Sequence, residues 1–90
     1  MITSAQLRAA RALLGIDQRS LAAMVGISLP TVQRMEAAAG IVRGNIETLM
    51  KVVDGLQRAG IELIGDDMPS TGGGRGVRLV ARRERSDADI

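Results

Sequence analysis

The stretch Gln18–Glu36, QRSLAAMVGISLPTVQRME, decides the fold. Its first half predicts a short helix that Asp17 caps and that ends at Gly26, because glycine tolerates the positive φ of a tight helix ending. The residues expected on the inward face of this helix are Leu21, Ala22, Met24 and Val25. The pattern therefore begins with a helix and a sharp turn.

The second half predicts another helix, over residues 29–38. Ser28 can cap it, and Pro30 falls in the first turn, where a missing N–H is tolerated. The residues expected to be buried are Val32, Met35 and Ala38. Two helices joined by so short a connection cross steeply and need a small side chain, here Ala22, at their closest approach.

Two further helices flank this pair. The first starts at Ser4, with Thr3 or Ser4 as its cap, and ends at Gly15. Its inward residues are expected to be Leu7, Ala10, Leu13 and Leu14. The fourth helix is capped by Asn45 and ends near Gly60. Its inward residues are expected to be Ile46, Leu49, Met50, Val53 and Leu56. We therefore predict a mainly α fold of four helices.

The C-terminal third has a different pattern. The apolar runs 61–64 and 77–81 predict two short β-strands, joined by a glycine-rich loop. The GGGRG run at 72–76 is interpreted as a connector, because a phosphate-binding loop would end in Gly-Lys-Ser/Thr before a helix. The expected organisation is a helical domain over 1–60, a small β element over 61–83 that serves dimerisation, and a flexible tail over 84–90.

Composition excludes several kinds of function. The 90 residues include no Cys and no His, which removes thiol chemistry, the commonest neutral-pH base and the commonest metal ligands. We therefore expect neither an enzyme, nor a metal site, nor a cofactor. The absence of Phe, Trp and Tyr also argues against a platform for stacking single-stranded bases. The chain lacks an apolar run of about 18 residues and a secretory signal pattern, so we expect a cytoplasmic protein with no membrane contact.

Charge is unevenly distributed, although the net charge is only +2. Residues 1–46 carry five arginines against two acidic residues, and residues 75–85 carry five arginines against one. This pattern suits a polyanion such as DNA. On charge alone, ordinary solvated side chains that maintain solubility fit equally well.

Residues 18–36 resemble the helix-turn-helix of the Xre, or phage lambda-repressor-like, family of bacterial DNA-binding proteins. The matching features are Gln18, Leu21, Ala22, Gly26, Ile27, Ser28, Val32, Met35 and Glu36. The resemblance extends over roughly residues 3–60 and implies a four-helix domain that inserts helix 29–38 into the major groove of double-stranded DNA. It also implies a sequence-specific transcription regulator, most simply a repressor.

The resemblance also implies roles for individual residues. Those expected to face the bases are Leu29, Pro30, Gln33 and Arg34, with Thr31 at the flank. Those expected to lie near phosphates are Gln18, Arg19, Ser28, Arg43 and Asn45, with a purely capping role for Asn45 as an equal alternative. Arg11 and Glu36 are expected to form a structural ion pair. The chain departs from the family pattern in its apolar Leu29 and in the single cation of the loop after Glu36.

Three interpretations of function and assembly stay open at this point. The C-terminal strands are expected to join two copies into a homodimer on a palindromic operator, unless they only cover the fourth helix. An antitoxin that represses its own operon would use residues 61–83 to bind a toxin. A protein-interaction module that has lost DNA binding would keep the fold alone.

Overall fold

The computed structural model describes residues 2–80 and contains four α-helices in this part of the chain. They are α1 (Ser4–Leu14), α2 (Gln18–Val25), α3 (Leu29–Ala37) and α4 (Ile46–Arg58). The expectation of a mainly α fold with four helices is confirmed.

Each helix begins at a residue whose side chain accepts a hydrogen bond from the first turn. Thr3 forms a capping box with Gln6 at α1. The caps of the next three helices are Asp17, Ser28 and Asn45, and each accepts from a backbone N–H three residues later. These bonds satisfy amides that have no partner within their helix, so local sequence defines the helix starts.

The core lies where α1, α2, α3 and α4 meet. It consists of aliphatic side chains and one methionine. Its buried residues are Ile2, Leu7, Ala10, Leu21, Ala22, Val25, Val32, Met35, Val42, Leu49, Val52 and Leu56. Ile2 and Val42 come from the segments before α1 and after α3. Their backbones are joined, since the N–H of Val42 donates to the carbonyl of Ile2 at 3.0 Å.

Several residues expected to face inward do not. On α4, Ile46 is 69% exposed and Met50 is 49% exposed, whereas Val52 and Gly55 are buried. Met50 follows Leu49 directly and is therefore rotated by about 100° away from the buried face. Leu13 and Met24 are also exposed, and Ala38 lies at the exposed end of α3. The predicted faces were thus wider than the surfaces that neighbouring helices cover.

The predicted two-stranded β element is wrong for the described residues. Between residues 2 and 80 there is no β-strand, and the β structure consists of one antiparallel bridge between Thr3 and Ile41. Ile61 and Leu63 pack against the helical core instead of pairing with residues 77–80, where Leu79 is 95% exposed. Two isolated strands joined by a glycine-rich loop are marginal without further partners, which explains the failure.

The segment after α4 is held by side chains rather than by a ladder of backbone bonds. The Glu62 carboxylate accepts from the Ser70 hydroxyl at 2.6 Å and from the Thr71 amide at 3.3 Å. The Arg78 guanidinium donates to the carbonyls of Gly65 and Met68. The end of the second predicted strand, the last residues of the 61–83 element and the 84–90 tail lie outside the described residues. No helix within residues 2–80 is long and apolar enough to cross a membrane.

Candidate DNA-binding site

The pair α2 and α3 forms a helix-turn-helix that the core holds at a fixed angle. Gly26 ends α2 with a φ of 80°, and its N–H donates to the carbonyl of Ala22 at 2.9 Å. The next amide, on Ile27, donates to the same carbonyl at 3.0 Å. The turn is therefore closed by backbone hydrogen bonds before Ser28 starts α3.

The outward face of α3 carries polar side chains. Pro30, Gln33 and Arg34 are exposed, and Thr31 is half-buried. Leu29 differs from this group, because it is half-buried and packs against the core. Of the polar residues expected to face bases, Gln33 and Arg34 are thus the exposed ones.

A chain of hydroxyl contacts runs along the first turns of α3. The hydroxyls of Ser28 and Thr31 lie 2.7 Å apart, and Thr31 Oγ1 accepts from Arg34 Nη2 at 3.4 Å. Three residues spaced along one helix edge are therefore linked. These contacts leave the other guanidinium donors of Arg34 free.

A groove of about 470 Å³ separates the end of α3 from the start of α4. Its polar lining residues are Thr31, Arg34, Arg43, Asn45 and Thr48, and apolar residues and a glycine line the other half. The groove therefore brings together residues expected to contact bases and residues expected to contact phosphates. The two arginines give this surface a positive charge that suits an anion.

Asn45 acts as a helix cap in this groove. Its Oδ1 accepts from the amide of Thr48 at 2.8 Å. The Nδ2 group remains a donor, and the first amides of α4 point in the same direction as the positive end of the helix dipole. A capping role and a phosphate contact are compatible at this residue.

Gln18 has a partner inside the protein. Its Nε2 donates to Glu36 Oε1 at 3.0 Å, so α2 begins with a side chain tied to the end of α3. The amide nitrogen has a second N–H, which this bond leaves free for an external acceptor. Arg19, the next residue, is exposed on α2.

Arg11 and Glu36 form a bidentate ion pair between α1 and α3. Arg11 Nε lies 2.9 Å from Glu36 Oε2, and Arg11 Nη2 lies 3.0 Å from Oε1. The Glu36 side chain is only 3% exposed, against 26% for Arg11. The planar guanidinium matches both carboxylate oxygens, which is the geometry of a strong charge-assisted pair.

The pKa of Glu36 lies below its usual value although the carboxyl group is buried. Desolvation alone raises this pKa, but the hydrogen bonds from Arg11 and Gln18 and the positive charges of Arg11 and Arg8 outweigh it. The same hydrogen bond to Glu36 raises the pKa of Arg11. Both groups of the pair are therefore ionised at neutral pH.

Three residues that position the site are not evident from the sequence pattern. Ser4 and Arg8 of α1 donate to backbone carbonyls at the end of α3. Gly55 of α4 lies against Val25 of α2, where an added Cβ would meet Val25 Cγ1 at 2.6 Å. For Gly55, the sequence signal was a glycine inside an otherwise regular helix. Ser4 and Arg8 carried no such signal, because their partners are backbone atoms far along the chain.

Comparison with known families agrees with this geometry. The helix-turn-helix family profile, of the Xre type, matches residues 7–59, which is more than half of the chain. The chain belongs to this helix-turn-helix family. Comparisons with curated proteins and with solved structures found no match.

Membership in the family defines the kind of site. Its domain is a non-enzymatic DNA-binding domain, so DNA is the partner that the family indicates. The described residues 2–80 contain no group of three or more His, Cys, Asp or Glu side chains that could hold a metal ion. The outward face of α3 and the adjoining groove are therefore the candidate DNA-binding surface.

Proposed function

We propose that the protein is a sequence-specific regulator of transcription that inserts α3 into the major groove of duplex DNA. The observation that carries this proposal is the pair Gln33 and Arg34, exposed on a helix that α2 fixes through a closed turn. A helix with fixed orientation and free bidentate donors can distinguish base pairs by their edges.

Base recognition would follow from side-chain chemistry. The Arg34 guanidinium can donate two hydrogen bonds to O6 and N7 of guanine, and the Gln33 amide can pair with N6 and N7 of adenine. The Thr31 methyl group can pack against a thymine methyl. The half-buried Leu29 side chain packs on the core and so anchors the first turn of α3.

Phosphate contacts would fix the register of α3. Gln18, Arg19 and Ser28 lie at the starts of α2 and α3, where free amides and the helix dipole favour an anion. Arg43 and Asn45 line the groove on the other side of the recognition surface. These contacts carry affinity without sequence information.

We further propose that two copies bind one palindromic operator and repress by occupying it. A single helix-turn-helix reads only a few base pairs, and two copies about one helical turn apart multiply both affinity and specificity. A bound protein that overlaps a promoter blocks polymerase by exclusion. Sedimentation of the complex with a selected duplex tests the stoichiometry, which we expect to be two chains per site.

The experiment that tests DNA recognition is selection of bound sequences from a random duplex pool. The selected duplex and a shuffled duplex of equal length and composition are then compared by gel shift at several salt concentrations. We expect tight binding of the selected duplex and weaker, salt-sensitive binding of the shuffled one. A protein that enriches no sequence and binds neither duplex would be an interaction module without DNA binding.

Repression requires a separate assay. A reporter gene whose promoter overlaps the selected sequence should lose expression when the protein is present. The Arg34→Ala variant at equal cellular abundance is the matched control and should leave the reporter active. Increased expression with the wild-type protein would mean activation, and the proposed sign of regulation would be wrong.

A further inference from the structure

The C-terminal end of α3 is bound by side chains from α1. The Ser4 hydroxyl donates to the carbonyl of Met35 at 2.8 Å, and Arg8 Nη1 donates to the carbonyl of Glu36. Both carbonyls belong to the last turn of α3, where backbone acceptors lack partners within the helix. Two otherwise unpaired acceptors are thus satisfied from another helix.

This helix end lacks the usual glycine. Its C-cap is Ala38, with φ of −67° and ψ of 155°, so the chain leaves α3 in an extended conformation. Glycine at this point would allow a left-handed turn that closes the end with its own amides. Here the amide of Ala38 donates to the carbonyl of Arg34, and side chains of α1 supply the further donors.

Burial distinguishes Ser4 from an ordinary surface serine. It is 1% exposed, although it is the first residue of α1 and directly follows the cap. Its amide donates to the carbonyl of Gly40 at 2.9 Å, so the backbone of Ser4 also holds the loop that follows α3. Ser4 therefore fixes both the end of α3 and the chain beyond it.

Arg8 adds charge to the same contact. It lies one turn after Ser4 on α1, and its guanidinium is at the negative end of the α3 dipole. It also lowers the pKa of Glu36 through its positive charge, after the larger influences of burial, Arg11 and Gln18. Arg8 thus interacts with α3 through a hydrogen bond and through charge.

We propose that Ser4 and Arg8 are positioning residues that set the orientation of α3 and thereby its sequence specificity, without contacting DNA. This inference rests on the proposed function. Base edges accept side chains only within narrow limits of distance and angle, so a small tilt of α3 weakens base contacts. Phosphate contacts, which tolerate rotation of long side chains, change little.

The test compares four variants on the selected and the shuffled duplex. Arg8→Met removes the donor and the charge, Arg8→Lys keeps both, and Ser4→Ala removes the hydroxyl. Arg58→Met is the matched control, because it removes one exposed arginine at the opposite end of α4 from the groove. All variants are measured well below their melting temperatures, by gel shift over a series of salt concentrations.

We expect Arg8→Met to weaken binding of the selected duplex about tenfold, as when only a tenth of the protein holds the competent orientation. Binding of the shuffled duplex should stay within about twofold, and the slope of log affinity against log salt should stay unchanged. Arg8→Lys should restore most of the affinity, and Arg58→Met should resemble the wild type. Ser4→Ala should reproduce the loss of specificity.

Two results would overturn the inference. Equal losses on both duplexes, with a salt slope reduced by about 0.9, would make Arg8 a direct phosphate contact. Unchanged specificity in Arg8→Met would also exclude a positioning role, and this variant decides the matter if Ser4→Ala fails to fold. A wild-type protein that selects no duplex would instead refute the proposed function, and this inference with it.

Discussion

Gly55 of α4 packs directly against Val25 of α2. A Cβ at Gly55 would lie 2.6 Å from Val25 Cγ1 and 3.0 Å from Val25 Cα. The second distance involves backbone, which cannot move aside as the tip of a flexible side chain can. Packing therefore accounts for a glycine in the last turn of α4, where its helix propensity is poor.

We expect Gly55→Ala to destabilise the protein by about 1–3 kcal/mol, the usual range for overpacking a core. The better helix propensity of alanine would by itself stabilise the protein by up to about 1 kcal/mol. The expected net loss therefore means that the clash with Val25 costs more than this gain. Urea unfolding measures the difference. Gly44→Ala is the control, because its Cβ would meet its nearest neighbour, Met35 Cε, at 3.6 Å and should change stability little. A Gly55→Ala variant more stable than the wild type would contradict the packing account.

The ion pair between Arg11 and Glu36 should respond asymmetrically to removal of its partners. Arg11→Met leaves a carboxylate that is 3% exposed, and we expect a loss of about 3 kcal/mol. Glu36→Gln leaves a guanidinium that water reaches, so the loss should be smaller. A thermodynamic cycle with the double variant should give a coupling of at least about 1 kcal/mol. Additive losses would mean that the pair does not stabilise the protein as a unit.

Stability should fall in acid partly because Glu36 must be protonated there. Its pKa is below the usual value of a glutamate, about 4.3, so the unfolded chain binds a proton at higher pH than the folded protein does. The contribution of Glu36 is complete above that unfolded pKa and is lost as the pH falls through the lower folded pKa. Urea midpoints between pH 7 and pH 3 should decline more steeply for the wild type than for Glu36→Gln. Equal slopes would show that Glu36 titrates alike in both states.

The pKa values of Asp17 and Glu62 are also lowered, so these two residues likewise make stability fall as the pH decreases. Asp17 accepts from the amide of Ser20, and Glu62 accepts from Ser70 and Thr71. Both remain in the Glu36→Gln variant. The difference between the two slopes therefore isolates Glu36.

Arg34→Ala should lower affinity for the selected duplex by about 1–3 kcal/mol and relax the preference at one base pair. Water cannot replace a bidentate contact to guanine with the same geometry. Arg43→Ala serves as the comparison, since loss of a phosphate contact should weaken all sequences alike and reduce the salt slope by about 1. Repeating the selection with each variant measures the preference. An unchanged preference in Arg34→Ala would mean that α3 does not read that base pair.

Local sequence predicted the helices well because their signals are local. Asp17, Ser28 and Asn45 each accept a hydrogen bond from an amide three residues later. The residues that determine where a helix begins therefore lie within one turn. The turn at Gly26 is equally local, since its conformation and its hydrogen bond to Ala22 lie within a short stretch. The helix-turn-helix could therefore be recognised from residues 18–36.

The missed features depend on contacts between distant parts of the chain. Ser4 and Met35 are 31 positions apart, and the acceptor is a carbonyl that every residue has. The two predicted strands failed for a related reason, because alternating apolar residues show where a strand can form but not whether a partner edge exists. Residues 77–80 meet no such partner in the described part of the chain.

The most direct test of the account is the ratio of wild-type affinities for the selected and the shuffled duplex at physiological salt. Reading of base edges by α3 predicts a ratio of at least about 10³, the lower end for specific DNA-binding proteins. Both affinities should fall as salt rises, while the preference for the selected duplex persists. A ratio near one would mean that the protein binds DNA only through charge, and it would contradict sequence recognition by α3.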